Sequence, residues 1–205
     1  MIQAIALDFG GVLYEINQLK TLQAFIRLSG SNSKLYNLKA QSYNSIDFIQ
    51  KYETGIIDCE AFRNEIRNFI DNNSISDSEI DSAWNSTLIK LFSDTQLLIE
   101  HLSKNYKLYL LSNTNKIHYD YFLPECQTIF KHFDEFFYSF QIHKKKPNKD
   151  YFEYFLEKVS FEPNNILFID DLKENLKPAE ELGINTLHKG SIRNLSEILH
   201  SVNII

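Results

Sequence analysis

Cysteines are scarce, long apolar runs are missing and basic residues are outnumbered, and each shortage excludes a class of protein. Two cysteines, Cys59 and Cys126, are too few for a disulfide framework and lack the spacing of metal ligands, so reduced thiols are expected. The six histidines form no His-x-x-x-His or Cys-paired pattern, which leaves no zinc signature. No stretch reaches the roughly 18 apolar residues that a membrane-spanning helix needs. Met1-Ile2-Gln3 leads straight into a strand-like segment, without the basic and apolar regions of a secretory signal, and the expectation is a cytoplasmic protein. Acidic residues outnumber basic ones 27 to 21, so a formal charge of −6 offers no broad footprint for nucleic acid or an anionic membrane. An anionic substrate would need a local basic site. Ser112 with His101, His118 or His143 is no serine hydrolase signature, because the Gly-x-Ser-x-Gly elbow is absent.

What remains is globular usage, 43% hydrophobic and 23% charged, in a chain long enough for one core with a smaller insert. Ile2 to Leu7 is a nearly unbroken apolar run that ends in Asp8 and the pair Gly10-Gly11, which fits a buried parallel strand followed by a loop. Similar runs recur at Leu108 to Leu111, Phe136 to Phe140, Ile166 to Ile169 and Asn185 to Leu187. Between them, helical periodicity covers Thr95 to Leu102, Asp150 to Val159 and Lys173 to Leu182. Gly183 closes the last, and Pro178 suits a first turn if that helix begins near Leu176. Strands alternating with helices predict a doubly wound parallel α/β sheet.

From about Tyr14 to Leu91 no strand signal is visible. Helical patterns dominate at Leu19 to Leu28, Ile46 to Tyr52, Cys59 to Ile70 and Ser78 to Ile89, with Asp58 and Asp77 as expected N-caps. The predicted organisation is therefore an α/β core of residues 1–14 and 92–205, with a helical cap of residues 15–91 inserted after the first strand.

In a parallel sheet ligands collect beyond the carboxyl ends of the strands. The residues at those ends form a coherent set: Asp8, then Ser112-Asn113-Thr114, then Lys144-Lys145-Lys146-Pro147, then Asp170-Asp171. A lysine run is ordinarily a solvated face, and Lys146 is singled out by the proline that follows it. Three carboxylates at one sheet edge would repel one another unless a cation sat among them, and oxygen ligands suit magnesium. Hydroxyl, amide and lysine donors alongside would receive phosphate oxygens.

In order and spacing, these segments resemble the four signature motifs of the haloacid-dehalogenase-like superfamily: Asp8-Phe9-Gly10-Gly11-Val12-Leu13, Leu110-Leu111-Ser112-Asn113-Thr114, Lys146-Pro147, and Phe168-Ile169-Asp170-Asp171 with Asn175. The resemblance implies a magnesium-dependent phosphatase for a small phosphorylated metabolite, with Asp8 as the nucleophile that becomes an aspartyl-phosphate. It further implies that Asp8, the carbonyl of Gly10 and Asp171 bind magnesium, and that Asp170 binds directly or through water with Asn175 orienting the loop. Ser112 and Asn113 would hold the phosphoryl group, and Lys146 would offset its charge. The superfamily's usual second Asp, the proton donor to the leaving group, is replaced by Gly10. Losing such help costs about 10²–10⁴-fold. Asp-x-Gly first motifs resemble a bacterial branch that includes sugar-phosphate phosphatases, as do Ser112-Asn113-Thr114-Asn115 and Tyr52-Glu53-Thr54-Gly55; Glu15 and Glu53 are the candidates for the missing acid. Haloacid dehalogenation by the same Asp, and a non-catalytic binding role for the fold, are the alternatives.

Overall fold

The computed structural model describes all residues except 32, 34, 36–45 and 191–193. In chain order, β1 (Ala4–Leu7) and β2 (Tyr14–Ile16) precede α1 (Gln18–Leu28), α2 (Asp47–Glu53), α3 (Cys59–Ile70), α4 (Asp77–Asn85) and β3 (Leu88–Leu91). Then come α5 (Thr95–Leu102), β4 (Lys107–Ser112), α6 (Lys116–Phe130), β5 (Glu135–Tyr138), α7 (Ser139–Ile142) and α8 (Lys149–Lys158). β6 (Ile166–Asp170), α9 (Lys173–Glu181), β7 (Asn185–His188) and α10 (Leu195–Ser201) complete the chain.

Five strands form one parallel sheet in the order β5-β4-β1-β6-β7, the doubly wound arrangement that the apolar runs predict. Alternate residues of β1 face opposite ways, as extended backbone requires. Ile5 and Leu7 pack with Leu98 and Leu102 of α5 and with Phe122 and Ile129 of α6. Ala4 and Ala6 face Phe152 and Phe155 of α8, where the small side chains leave room for the rings. Among the described residues no helix is long and apolar enough to cross a membrane.

Helices α1 to α4 carry their own core, in which Phe25, Tyr52, Phe62, Ile66, Ile80 and Trp84 are buried. The segment from Tyr14 to Leu91 is not strandless, however. β2 and β3 pair antiparallel at the two ends of the helical insert, with Tyr14 opposite Leu91. Three- and four-residue strands carrying Glu15 and Lys90 show too little alternation to be read from sequence. For the same reason α4 stops at Asn85 rather than at Ile89. Its N-cap is Ser76, which forms a capping box with Glu79, and Asp77 stands one position inside the helix. Asp58 does cap α3, its carboxylate accepting from the Ala61 N–H at 2.8 Å. α9 begins at Lys173, so Pro178 lies inside the helix and not in its first turn. Its missing N–H deprives Glu174 of one i→i−4 donor. Ser29 to Ser33, whose serine, glycine and asparagine content reads as a loop, lies partly outside the described residues.

Candidate active site

The sheet register builds the site. Leu7 stands opposite Leu110 on one side and Ile169 on the other, so Asp8, Leu111 and Asp170 stand at the same level. This is the carboxyl edge beside β1, from which the chain winds outward in both directions. Asp8, Gly10, Ser112, Asn113, Lys146, Asp171 and Asn175 all line one cavity of about 460 Å³ beneath the helical insert; Asp170 lies just behind this wall, fully buried.

Lys146 is the junction. Its side chain is 1% exposed, and its Nζ donates to Asp8 Oδ1 at 2.6 Å, to Asp170 Oδ2 at 2.7 Å and to the Leu111 carbonyl at 2.8 Å. Three acceptors satisfy the three donors of the ammonium, which is what allows a lysine to be buried. Burial alone would lower its pKa; the adjacent carboxylates of Asp170 and Asp8 outweigh this and raise it. The backbone of Lys146 is held by Asn113, whose Nδ2 donates to the Lys146 carbonyl at 2.8 Å and whose Oδ1 accepts from the Lys146 N–H at 2.9 Å. Asn113 therefore positions the lysine with both ends of its amide.

Asp170 is equally engaged. Asn175 Nδ2 reaches both its oxygens at 3.0 Å, and the Leu172 N–H donates to Oδ1 at 2.8 Å. Asp171 is half-buried and lies next to Gly11, whose φ of +79° and missing β-carbon leave room for the carboxylate. Ligand oxygens of Asp8, Asp170 and Asp171 lie within 4.8 Å of one another. Lys146 compensates the Asp8–Asp170 side of this triangle and leaves its Asp171 corner. Burial, aggravated by the neighbouring acids, pushes Asp8 up to about 7 and Asp171 up to about 6. All-oxygen donors carrying uncompensated repulsion fit a hard divalent cation. Asp8, Asp170 and Asp171 are the carboxylates grouped closely enough to hold it.

A β-carbon on residue 10 would meet Ile16 Cδ1 at 3.3 Å, close enough that this side-chain end would have to give by a few tenths of an ångström. Of the two candidate replacement acids, Glu15 sits in β2 away from the cavity wall, whereas Glu53 is in it. Burial raises the Glu53 pKa against the opposing effect of Lys145, whose Nζ lies 3.0 Å from its carboxylate. His143 turns to the insert rather than to the site, pairing with the Thr54 carbonyl at 2.8 Å.

Two contributors escape the sequence reading. Lys189, immediately after β7, is buried, and its Nζ donates to the Gly11 carbonyl at 2.7 Å, bracing the loop that carries Gly10. The strand-end rule applied to the fifth strand would have found it. His118 lines the cavity from α6, stacked on Trp84 with the ring centroids 5.0 Å apart and 4° between the planes. Burial pushes its pKa down to about 3, so the imidazole is neutral.

The profile of the haloacid dehalogenase-like hydrolases matches residues 2–183. The chain belongs to that family. Within it, the chain is 28% identical over 195 residues to a D-ribitol-5-phosphate phosphatase of Bacteroides thetaiotaomicron, a match covering 91% of each protein. A HAD family enzyme from the same organism, solved in complex with magnesium and inorganic phosphate, superposes with a TM-score of 0.85 at 28% identity, covering 97% of this chain and 99% of the other. A HAD-like family hydrolase from Porphyromonas gingivalis does so with a TM-score of 0.83 at 28% identity, covering 98% of both.

Proposed function

We propose that this hydrolase is a magnesium-dependent phosphatase for a small phosphorylated polyol or sugar, working through an aspartyl-phosphate on Asp8. The observation that carries the reading is the meeting of Asp8, Asp170 and Asp171 at one sheet edge, with the Lys146 ammonium between the first two. Relatives support it: one is a D-ribitol-5-phosphate phosphatase, and another has been solved with magnesium and phosphate. The helices of residues 15–91 act as the cap, roofing the site and excluding water from it.

Asp8 supplies the attacking oxygen. The Asp8–P bond forms as the ester P–O bond breaks, and the leaving alkoxide takes up a proton. Water then attacks phosphorus, releasing inorganic phosphate and regenerating the carboxylate. Lys146 favours the charged form of Asp8 and holds it in place. Ser112 lines the wall beside it and donates its hydroxyl to the phosphoryl oxygens. Asn113, with its amide occupied by Lys146, meets the phosphoryl group through its main-chain N–H. Asp8, Asp171 and the Gly10 carbonyl would hold magnesium, which would neutralise phosphoryl charge. Asp170 orients Lys146, and Asn175 orients Asp170. Glu53 is the acid of the roof that delivers the proton residue 10 cannot.

A panel of phosphomonoesters assayed with magnesium and with a chelator tests the reading. Turnover is expected with magnesium alone and is lost in Asp8→Asn. Turnover that survives either change overturns it.

A further inference from the structure

The cavity wall contains a neutral imidazole that the phosphoryl chemistry does not use. We propose that His118 reads a hydroxyl of the alcohol that leaves, making it a specificity-determining residue for a polyhydroxy leaving group. The proposal rests on the phosphatase reading of Asp8.

The His118 ring is held from several directions. One face lies against the Trp84 indole. Its Nδ1 is 2.9 Å from Asn85 Oδ1, and Asn85 is itself buried. A carboxamide oxygen can only accept, so Nδ1 carries the proton and Nε2 keeps its lone pair. The backbone below is fixed as well: Asn115 Oδ1 accepts from the His118 N–H at 3.1 Å and from Trp84 Nε1 at 3.2 Å. Asn115 caps α6, so core helix and insert meet at this one oxygen. Among the described residues Nε2 makes no hydrogen bond, and the ring lines the cavity that also contains Asp8, Ser112 and Lys146.

The result is a rigid acceptor without charge. It cannot pair with a second phosphate, and it is a poorer partner for an ammonium than a carboxylate would be. It suits a hydroxyl donor. The wall around it agrees, because Gln18, Gln50 and Thr87 add neutral groups able to donate and accept. The lysines of the wall are already paired, Lys145 with Glu53 and Lys146 with Asp8 and Asp170.

The test compares D-ribitol 5-phosphate with p-nitrophenyl phosphate, whose leaving group has no alcohol hydroxyls. His118→Phe keeps the ring and removes the acceptor, while His118→Gln keeps an acceptor oxygen. In His118→Phe the preference for the pentitol ester, the ratio of the two kcat/KM values, is expected to fall by about 10- to 100-fold. His118→Gln recovers part of it. A ratio unchanged in His118→Phe, with or without an equal loss on both esters, overturns the proposal and leaves the phosphatase reading standing. A second readout needs no turnover. In Asp8→Asn, the nitrogen resonance of His118 Nε2 should move when the pentitol phosphate is added and not when inorganic phosphate is added. A silent resonance overturns the assignment, whereas a wild-type protein inert toward every ester with magnesium overturns the phosphatase reading alone.

Discussion

The carboxylate of Asp171 occupies the space that a side chain on residue 11 would need. A β-carbon on Gly11 would collide with Asp171 Oδ2, and the φ of +79° disfavours any other residue there. One glycine thus brings the loop after β1 against the loop after β6. Gly11→Ala is expected to destabilise the fold by about 1–3 kcal/mol through strain, and to weaken magnesium binding further by displacing Asp171. Thermal melting with and without magnesium checks both effects. A variant with wild-type melting and an undiminished magnesium response would contradict this account of the loop contact.

Lys146 answers for two buried carboxylates at once. Lys146→Met keeps much of the volume and removes the charge, leaving Asp8 and Asp170 unpaired. Breaking a buried pair in this way costs about 3–5 kcal/mol. Asp8 would then be protonated at neutral pH and unable to attack, so activity should disappear along with the stability. Denaturant unfolding gives the first quantity and single-turnover kinetics the second.

Without a divalent cation, stability should fall as pH rises. Asp8 titrates at about 7 and Asp171 at about 6 in the folded chain, against 3.8 for an ordinary Asp, chiefly through burial. Between those limits the folded state holds more protons than the unfolded state, so the contribution is present at low pH and lost as pH rises through the folded pKa values. In chelator, this contribution lowers the melting temperature from about pH 5 to about pH 7, and Asp8→Asn should flatten the trend. Magnesium competes with the protons, and its stabilising effect should be larger at the higher pH.

How much of this was legible beforehand follows from where the signals are strong. The central strands are buried on both faces and so read as continuous apolar runs, and the residues ending them fell at the site because the register is level. Asn175 meets both oxygens of Asp170 at 3.0 Å. The β2–β3 ribbon was invisible because short half-buried strands leave no period to detect. Helix α6 was hidden by Pro124 and by aromatic residues dense enough to resemble strand. The double role of Asn113, and the anchoring of the His118 ring, depend on partners 33 residues away in sequence, which no local pattern encodes.

Glu53 should reveal itself through leaving-group dependence. A p-nitrophenolate leaves without help, whereas an alkoxide needs a proton. Glu53→Gln is expected to cost about 10²-fold on an alkyl phosphate and far less on p-nitrophenyl phosphate. Equal losses on both esters would assign Glu53 to holding Lys145 alone.

Asp170 and Asp171 are adjacent in sequence but separate in function, and paired substitutions should divide them. Both oxygens of Asp170 are engaged by Lys146, Asn175 and the Leu172 N–H. In Asp170→Asn an amide would face the ammonium of Lys146 in place of one oxygen, so the loss is expected in stability, about 3–5 kcal/mol as for a broken buried pair. Asp171 is half-buried, and its pKa is raised first by burial and then by repulsion from Asp170. Asp171→Asn relieves that repulsion, so the metal-free protein should melt no lower than wild type and gain less from added magnesium. If Asp171→Asn binds magnesium as tightly as wild type by calorimetry, or if Asp170→Asn loses magnesium affinity without losing stability, the division of labour between the two acids is reversed.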